Sequence, residues 1–112
     1  MRNGMYAKPS TTAIKAPELC QSMAEVRAGV DHVDRALIAL LIQRFGYMDA
    51  AARIKPNRDA VRDEARKAQV IANVRAEATA RGLPADLLAQ LWDGLVEGSI
   101  AYELNRWDRT RG

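Results

Sequence analysis

Arg44 stands where an apolar residue belongs, between Leu40 and Tyr47 in a run that repeats at alternating steps of three and four. An unpaired buried guanidinium is costly, so an internal carboxylate, a stem that carries the charge out to water, or an anionic ligand must satisfy it. Lys55 follows eleven residues later, close to three helical turns on, and projects from nearly the same face. Two long cationic side chains rising from positions about 16 Å apart along one axis can hold an anion of several ångströms between them. Arg27 lies about 25 Å from Arg44 on a different face, and joins these cations only from the partner of an antiparallel pair. Arg66 is a fourth candidate cation; by itself, beside the charged run Arg62-Asp63-Glu64, it reads as a solvated side chain. Farther on, Ser99 and Glu103 are spaced by four and continue the line of Trp92 and Leu95, which puts a hydroxyl and a carboxyl on a mainly apolar face. A carboxyl there either pairs with a cation or stays protonated.

The elements that position these groups are helices. Met23, Val26, Val30, Val33, Leu37, Leu40, Arg44, Tyr47 and Ala51 keep one helical face over four heptads. Ser22 with Glu25 three residues later reads as a capping box at the start, and Pro56 ends the helix near Ile54. After the loop Lys55 to Asp59, the stripe Val61, Ala65, Ala68, Ile71 and Val74 predicts a second helix from about Val61 to Arg81. Gly82 stops it, Pro84 suits a first turn, and a third helix carries Leu87, Leu88, Leu91, Trp92, Leu95, Ser99, Tyr102 and Glu103. The fold class is all-α, a three-helix chain with a long first helix. That helix, at about 45 Å, outruns the roughly 35 Å diameter of a compact chain of this size. A second copy packed along its apolar seam, an intertwined helical homodimer, accounts for the excess length; a kink at Gly46 is the competing explanation. The Gly94/Gly98 spacing suits close helix packing. Residues 1–17, with Gly4, Pro9, Ser10, Thr11, Thr12 and Pro17, read as a loose N-terminal arm, and 18–112 as the helical domain.

Composition narrows the chemistry. At 112 residues, 48% hydrophobic and 28% charged, the chain is one ordinary globular domain. A single cysteine, Cys20, and a single histidine, His32, exclude an internal disulfide, a Cys/His zinc site and a CxxC redox motif. No metal and no cofactor is expected. His32, beside the seam, reads as a solvated surface residue, and Cys20 as a small apolar one. Seventeen Lys and Arg against 14 acidic residues leave a net charge of +3, which suits an anionic partner without naming one. No run approaches the roughly 18 apolar residues of a membrane span, and Met1 to Lys15 lacks the apolar core of a secretory signal, so the expected location is cytoplasmic.

Lys15-Ala-Pro-Glu-Leu-Cys20, Glu25-Val-Arg27 with Asp31 and Asp34, Arg44 and Lys55 at their spacing, Asp63 with Arg66, and the ending Trp107-Asp-Arg-Thr-Arg-Gly112 together carry a resemblance. From about Lys15 to Gly112 the chain resembles the all-helical class of chorismate mutases, and within it the branch containing the isochorismate pyruvate lyases. The resemblance implies an intertwined dimer with two active sites. It implies that Arg27 enters from the partner chain to hold one substrate carboxylate, and that Arg44 holds the other with Lys55 or Arg66. It places Asp63 and Ser99 among the substrate-binding residues, and Lys55 and Glu103 as catalytic groups on either side of the ether oxygen of the enolpyruvyl group. The activity so implied is chorismate mutase, the rearrangement of chorismate to prephenate, with isochorismate pyruvate lyase as the alternative.

Two positions depart from the family pattern. Glu103 stands where many members carry glutamine, and a carboxyl donates a hydrogen bond only when protonated, so activity should decline as pH rises. Lys67, after Arg66, stands where typical chorismate mutases place a glutamate that contacts the ring hydroxyl, which favours a different or relaxed ring substrate. The loop Lys55 to Ala60 reads as a lid that brings the lysine in on binding. A non-enzymatic basic helical dimer that binds nucleic acid is a more remote reading, since there is no helix-turn-helix segment and one cation lies inside the seam; neither nucleic acid nor membrane is the expected partner.

Overall fold

The computed structural model describes residues 14–111, so most of the expected N-terminal arm lies outside the described residues. Three helices follow in order: α1 (Met23–Ile54), α2 (Glu64–Ala80) and α3 (Ala85–Arg111), with 3₁₀ turns at Pro17–Leu19 and Arg58–Ala60. Among the described residues there is no strand, as the all-α reading expected. No described helix is long and apolar enough to cross a membrane, and no described group of His, Cys, Asp and Glu is arranged to hold a metal ion.

α1 has 32 residues, about 48 Å at the usual rise, and is helical through Gly46. The chain divides into two compact units, Met1–Gln43 and Arg44–Gly112. In the first, the capping box is present: the Glu25 amide donates to Ser22 Oγ at 3.2 Å, and the Gln21 amide donates to Glu25 Oε1 at 2.7 Å. The Lys15 ammonium pairs with the same carboxylate and holds its pKa below the ordinary value. Cys20 is half-buried and His32 exposed, and both border an open apolar groove of about 350 Å³ with Val26, Val30 and Val33. Among the described residues nothing covers the seam, Val30, Leu37 and Leu40 being 52%, 52% and 58% exposed.

In the second unit, α2 and α3 pack against one another, whereas the last turns of α1 reach α3 through long side chains. Arg44 meets Ser99, Asp49 meets Tyr102, and Ala52 meets Arg111, so these two stretches run in the same direction. The core is Val61, Val96 and Ile100, flanked by Val70, Leu104 and Trp107.

The second helix begins at Glu64, three residues later than the apolar stripe predicts. Asp63 takes the N-cap, its carboxylate accepting from the Arg66 amide at 3.0 Å, and this side-chain bond replaces the backbone bonds a longer helix would make. Val61 is thereby released from helix geometry and is buried in the core just after the 3₁₀ turn, which Asn57 caps by accepting from the Ala60 amide at 3.1 Å. At the other end of α2 the chain reverses at Gly82, whose φ of 75° is the left-handed conformation that favours glycine. The Leu83 amide then reaches Ala78 O at 2.8 Å and the Gly82 amide Thr79 O at 3.2 Å, a Schellman closure. Pro84 sits one residue before the first helical residue, its carbonyl accepting from the Leu88 amide at 3.1 Å. Gly94 and Gly98 pack against nothing in the single chain, since a Cβ built on either meets no described atom within 4 Å.

Candidate functional site

One turn of α3 receives two cations, Arg44 from α1 and Lys55 from just beyond its end. Arg44 Nη1 donates to Ser99 Oγ at 2.6 Å, and the Lys55 ammonium lies 2.8 Å from Glu103 Oε2. Ser99 and Glu103 are 3% and 4% exposed, so this turn presents a hydroxyl and a carboxyl to an otherwise apolar interior. The Ser99 hydroxyl donates back to Leu95 O at 2.7 Å, which fixes its proton and turns a lone pair toward Arg44. The Lys55 ammonium also donates to Val61 O at 3.3 Å. Its approach to Glu103 has the distance of an ion pair without the angle of a hydrogen bond, and Oε2 is buried with no hydrogen-bond partner among the described residues.

Arg44 is half-buried and pairs with no carboxylate among the described residues. Burial, and next the like charge of Arg66, hold its guanidinium below the ordinary arginine value. Arg66 is exposed, with Nη1 donating to Gln69 Oε1 at 2.7 Å. Asp63 meets the main chain of Arg66 as the N-cap of α2. The structure therefore gathers Arg44, Lys55, Ser99 and Glu103, with Arg66 inside the electrostatic reach of Arg44. Arg27 belongs to the N-terminal unit, where its side chain is exposed and makes no ion pair with a described residue.

Lys67 is engaged away from these groups. Its ammonium lies 2.7 Å from Glu97 and 3.0 Å from Asp93, and Arg62 reaches the same Glu97 at 2.7 Å. Hydrogen bonds from Arg62 and then Lys67 hold the Glu97 carboxyl down at about 2. Asp93 and Glu97 are four apart on α3, and their signs oppose those of Arg62 and Lys67; that complementarity is the sequence signal that could have linked α2 to α3. The end of α1 is held by residues that the sequence reading assigned no role. Trp107 Nε1 donates to Lys55 O at 3.2 Å, and Arg111 donates to Ala52 O and Lys55 O, both at 2.8 Å. Tyr102 donates to Asp49 at 2.8 Å and stacks edge-on to Phe45 at 4.8 Å.

Two cations aimed at one buried turn suit a small anion with more than one carboxylate. An ammonium beside a carboxyl can also supply hydrogen bonds to an oxygen that gains negative charge as a bond breaks, which asks for no nucleophile. A sequence model of the family described as chorismate mutase type II matches residues 26–104 of the chain. The chain is also 29% identical over 99 residues to an isochorismate pyruvate lyase of Pseudomonas aeruginosa, a match covering 88% of this chain and 98% of that protein.

Proposed function

The chain belongs to the chorismate mutase type II family, and on that premise we propose that it rearranges chorismate to prephenate in a cationic pocket completed by a second copy of the chain. The observation that carries this reading is the convergence of Arg44 and Lys55 on Ser99 and Glu103, which puts cations around a buried acceptor whose Oε2 has no hydrogen bond among the described residues.

The rearrangement is a concerted [3,3] shift. The enolpyruvyl side chain must fold over the ring, and holding it there supplies the entropic part of the catalysis. Arg44, its fork steadied by Ser99, grips one carboxylate with Lys55 or Arg66. Arg27 grips the other from the partner chain, and Asp63 sets the main chain that bears Arg66. Negative charge grows on the ether oxygen as its bond to the ring breaks. Lys55 on one side and Glu103 on the other flank that oxygen, and the ammonium stabilises the charge more than the ground state. The uncovered seam of α1 supports the homodimer, because exposed apolar side chains at helical spacing call for a covering surface.

A second reading, isochorismate pyruvate lyase, is favoured by the relative that bears that name and by Lys67, which pairs with Asp93 and Glu97 and so leaves the position of the family's ring-hydroxyl glutamate without an acceptor. That elimination also breaks the ether bond, with a ring hydrogen passing to the methylene carbon as salicylate and pyruvate form. Incubation with each substrate separately, assaying prephenate, salicylate and pyruvate, decides between them. Prephenate from chorismate supports the first reading; salicylate and pyruvate from isochorismate alone overturn it in favour of the second.

A further inference from the structure

Lys55 is the first residue beyond α1, and its main chain is fastened by the final turns of α3. Its carbonyl accepts from Trp107 Nε1 at 3.2 Å and from Arg111 Nη2 at 2.8 Å, while Arg111 Nη1 holds Ala52 O at 2.8 Å. The Arg111 guanidinium lies over the Trp107 ring, 4.4 Å from its centre, so each donor orients the other. Farther along the loop, Arg58 makes a forked contact with Asp108, Nε to Oδ1 at 2.8 Å and Nη2 to Oδ2 at 3.3 Å. The carbonyls at a helix C-terminus have no partner inside the helix, and a cation there also meets the negative end of the helix dipole.

We propose that Trp107, Asp108 and Arg111 form a clasp that positions Lys55, acting through its main chain. This rests on the reading above that Lys55 meets the substrate. The lysine side chain is 29% exposed and is held at its tip, among the described residues, only by Val61 O at 3.3 Å and the off-axis approach to Glu103. A four-carbon stem with that freedom delivers its ammonium to one place only if its Cα is fixed. Pro56 follows immediately and has no amide to continue the helix, so the carbonyl of Lys55 is the handle by which the rest of the protein fixes it. The clasp closes one end of the loop at Lys55 and the other at Arg58, so the ammonium is placed before any ligand arrives.

The test pairs two mild variants with a background that lacks the lysine. Trp107→Phe removes the indole N–H and keeps a ring under Arg111; Arg111→Lys keeps the charge and loses the fork. Each is made in the wild-type and the Lys55→Ala backgrounds. The readouts are kcat and KM with chorismate and with isochorismate, and the rate of tryptic cleavage between Arg58 and Arg62 in the native protein. Expected are a fall of roughly tenfold or more in kcat/KM, mostly in kcat, and cleavage several times faster. No further loss of activity is expected where Lys55 is already alanine. Equal losses in both backgrounds, or unchanged cleavage, overturn the clasp. Should Trp107→Phe not fold, Asp108→Asn opens the exposed far end, and unchanged cleavage in that variant overturns it equally. If the wild-type protein turns over neither substrate, the reaction proposed above fails, and the cleavage rates decide the clasp by themselves.

Discussion

Arg44 and Ser99 meet at 2.6 Å, so a half-buried guanidinium is answered by a neutral hydroxyl, with no carboxylate paired to it among the described residues. A charge taken out of water and given so small a partner is poised for an anion, and it strains the unliganded chain. Arg44→Met should therefore lower kcat/KM by about 100-fold or more, on the order of 3 kcal/mol of transition-state binding, with a melting temperature equal to or above wild type. Parallel kinetics and thermal melts check both halves.

Glu103 faces Lys55 at 2.8 Å, and its Oε2 has no hydrogen bond among the described residues. Glu103→Gln puts an amide donor in the same place, so kcat/KM with chorismate should stay within a few-fold of wild type, whereas Glu103→Ala should lower it about tenfold or more. Kinetics of the two variants side by side are the comparison. Equal losses would remove Glu103 from the reacting oxygen.

If Arg27 completes the site of the partner chain, two inactive proteins can repair one another. Mixing Arg27→Ala with Arg44→Ala under conditions that exchange subunits should restore about a quarter of wild-type activity. Half of the dimers are then mixed, and each mixed dimer holds one intact site of two. Activity that stays at the level of the separate variants would show that Arg27 and Arg44 act from the same chain or in different places.

The Glu97 carboxyl, held at about 2 by Arg62 and Lys67, lies below the value near 4.3 of an unfolded glutamate. Its contribution to stability is complete above about pH 5 and is lost as pH falls toward 2, because protonation then favours the unfolded chain. Glu97→Gln should melt below wild type at pH 7, and the gap should close toward pH 2. Thermal melts across that range measure it.

The parts of this architecture that were legible in advance are those decided by residues near one another. Ser22 and Glu25 announce the start of α1 and Pro56 its end because a cap and a missing amide act within a few residues. The apolar stripe places the start of α2 three residues early, since Val61 continues it and Asp63 hides its capping role inside a run of charges. Ser99 and Glu103 could be placed on one face by spacing, but which cation each would meet was set by the approach of α1 to α3. The bonds from Trp107 and Arg111 to the end of α1 join residues more than 50 apart, and no local pattern marks them.

Gly98 has open space where a methyl group would go. In an isolated chain, Gly98→Ala would restrict the unfolded backbone and strengthen α3 by about 1 kcal/mol with nothing to obstruct it. In an assembly whose second copy closes over that face, the same methyl would collide and the substitution would weaken the protein. A single hydrogen at position 98 thus turns the sign of a stability change into a report on whether the helix has a neighbour.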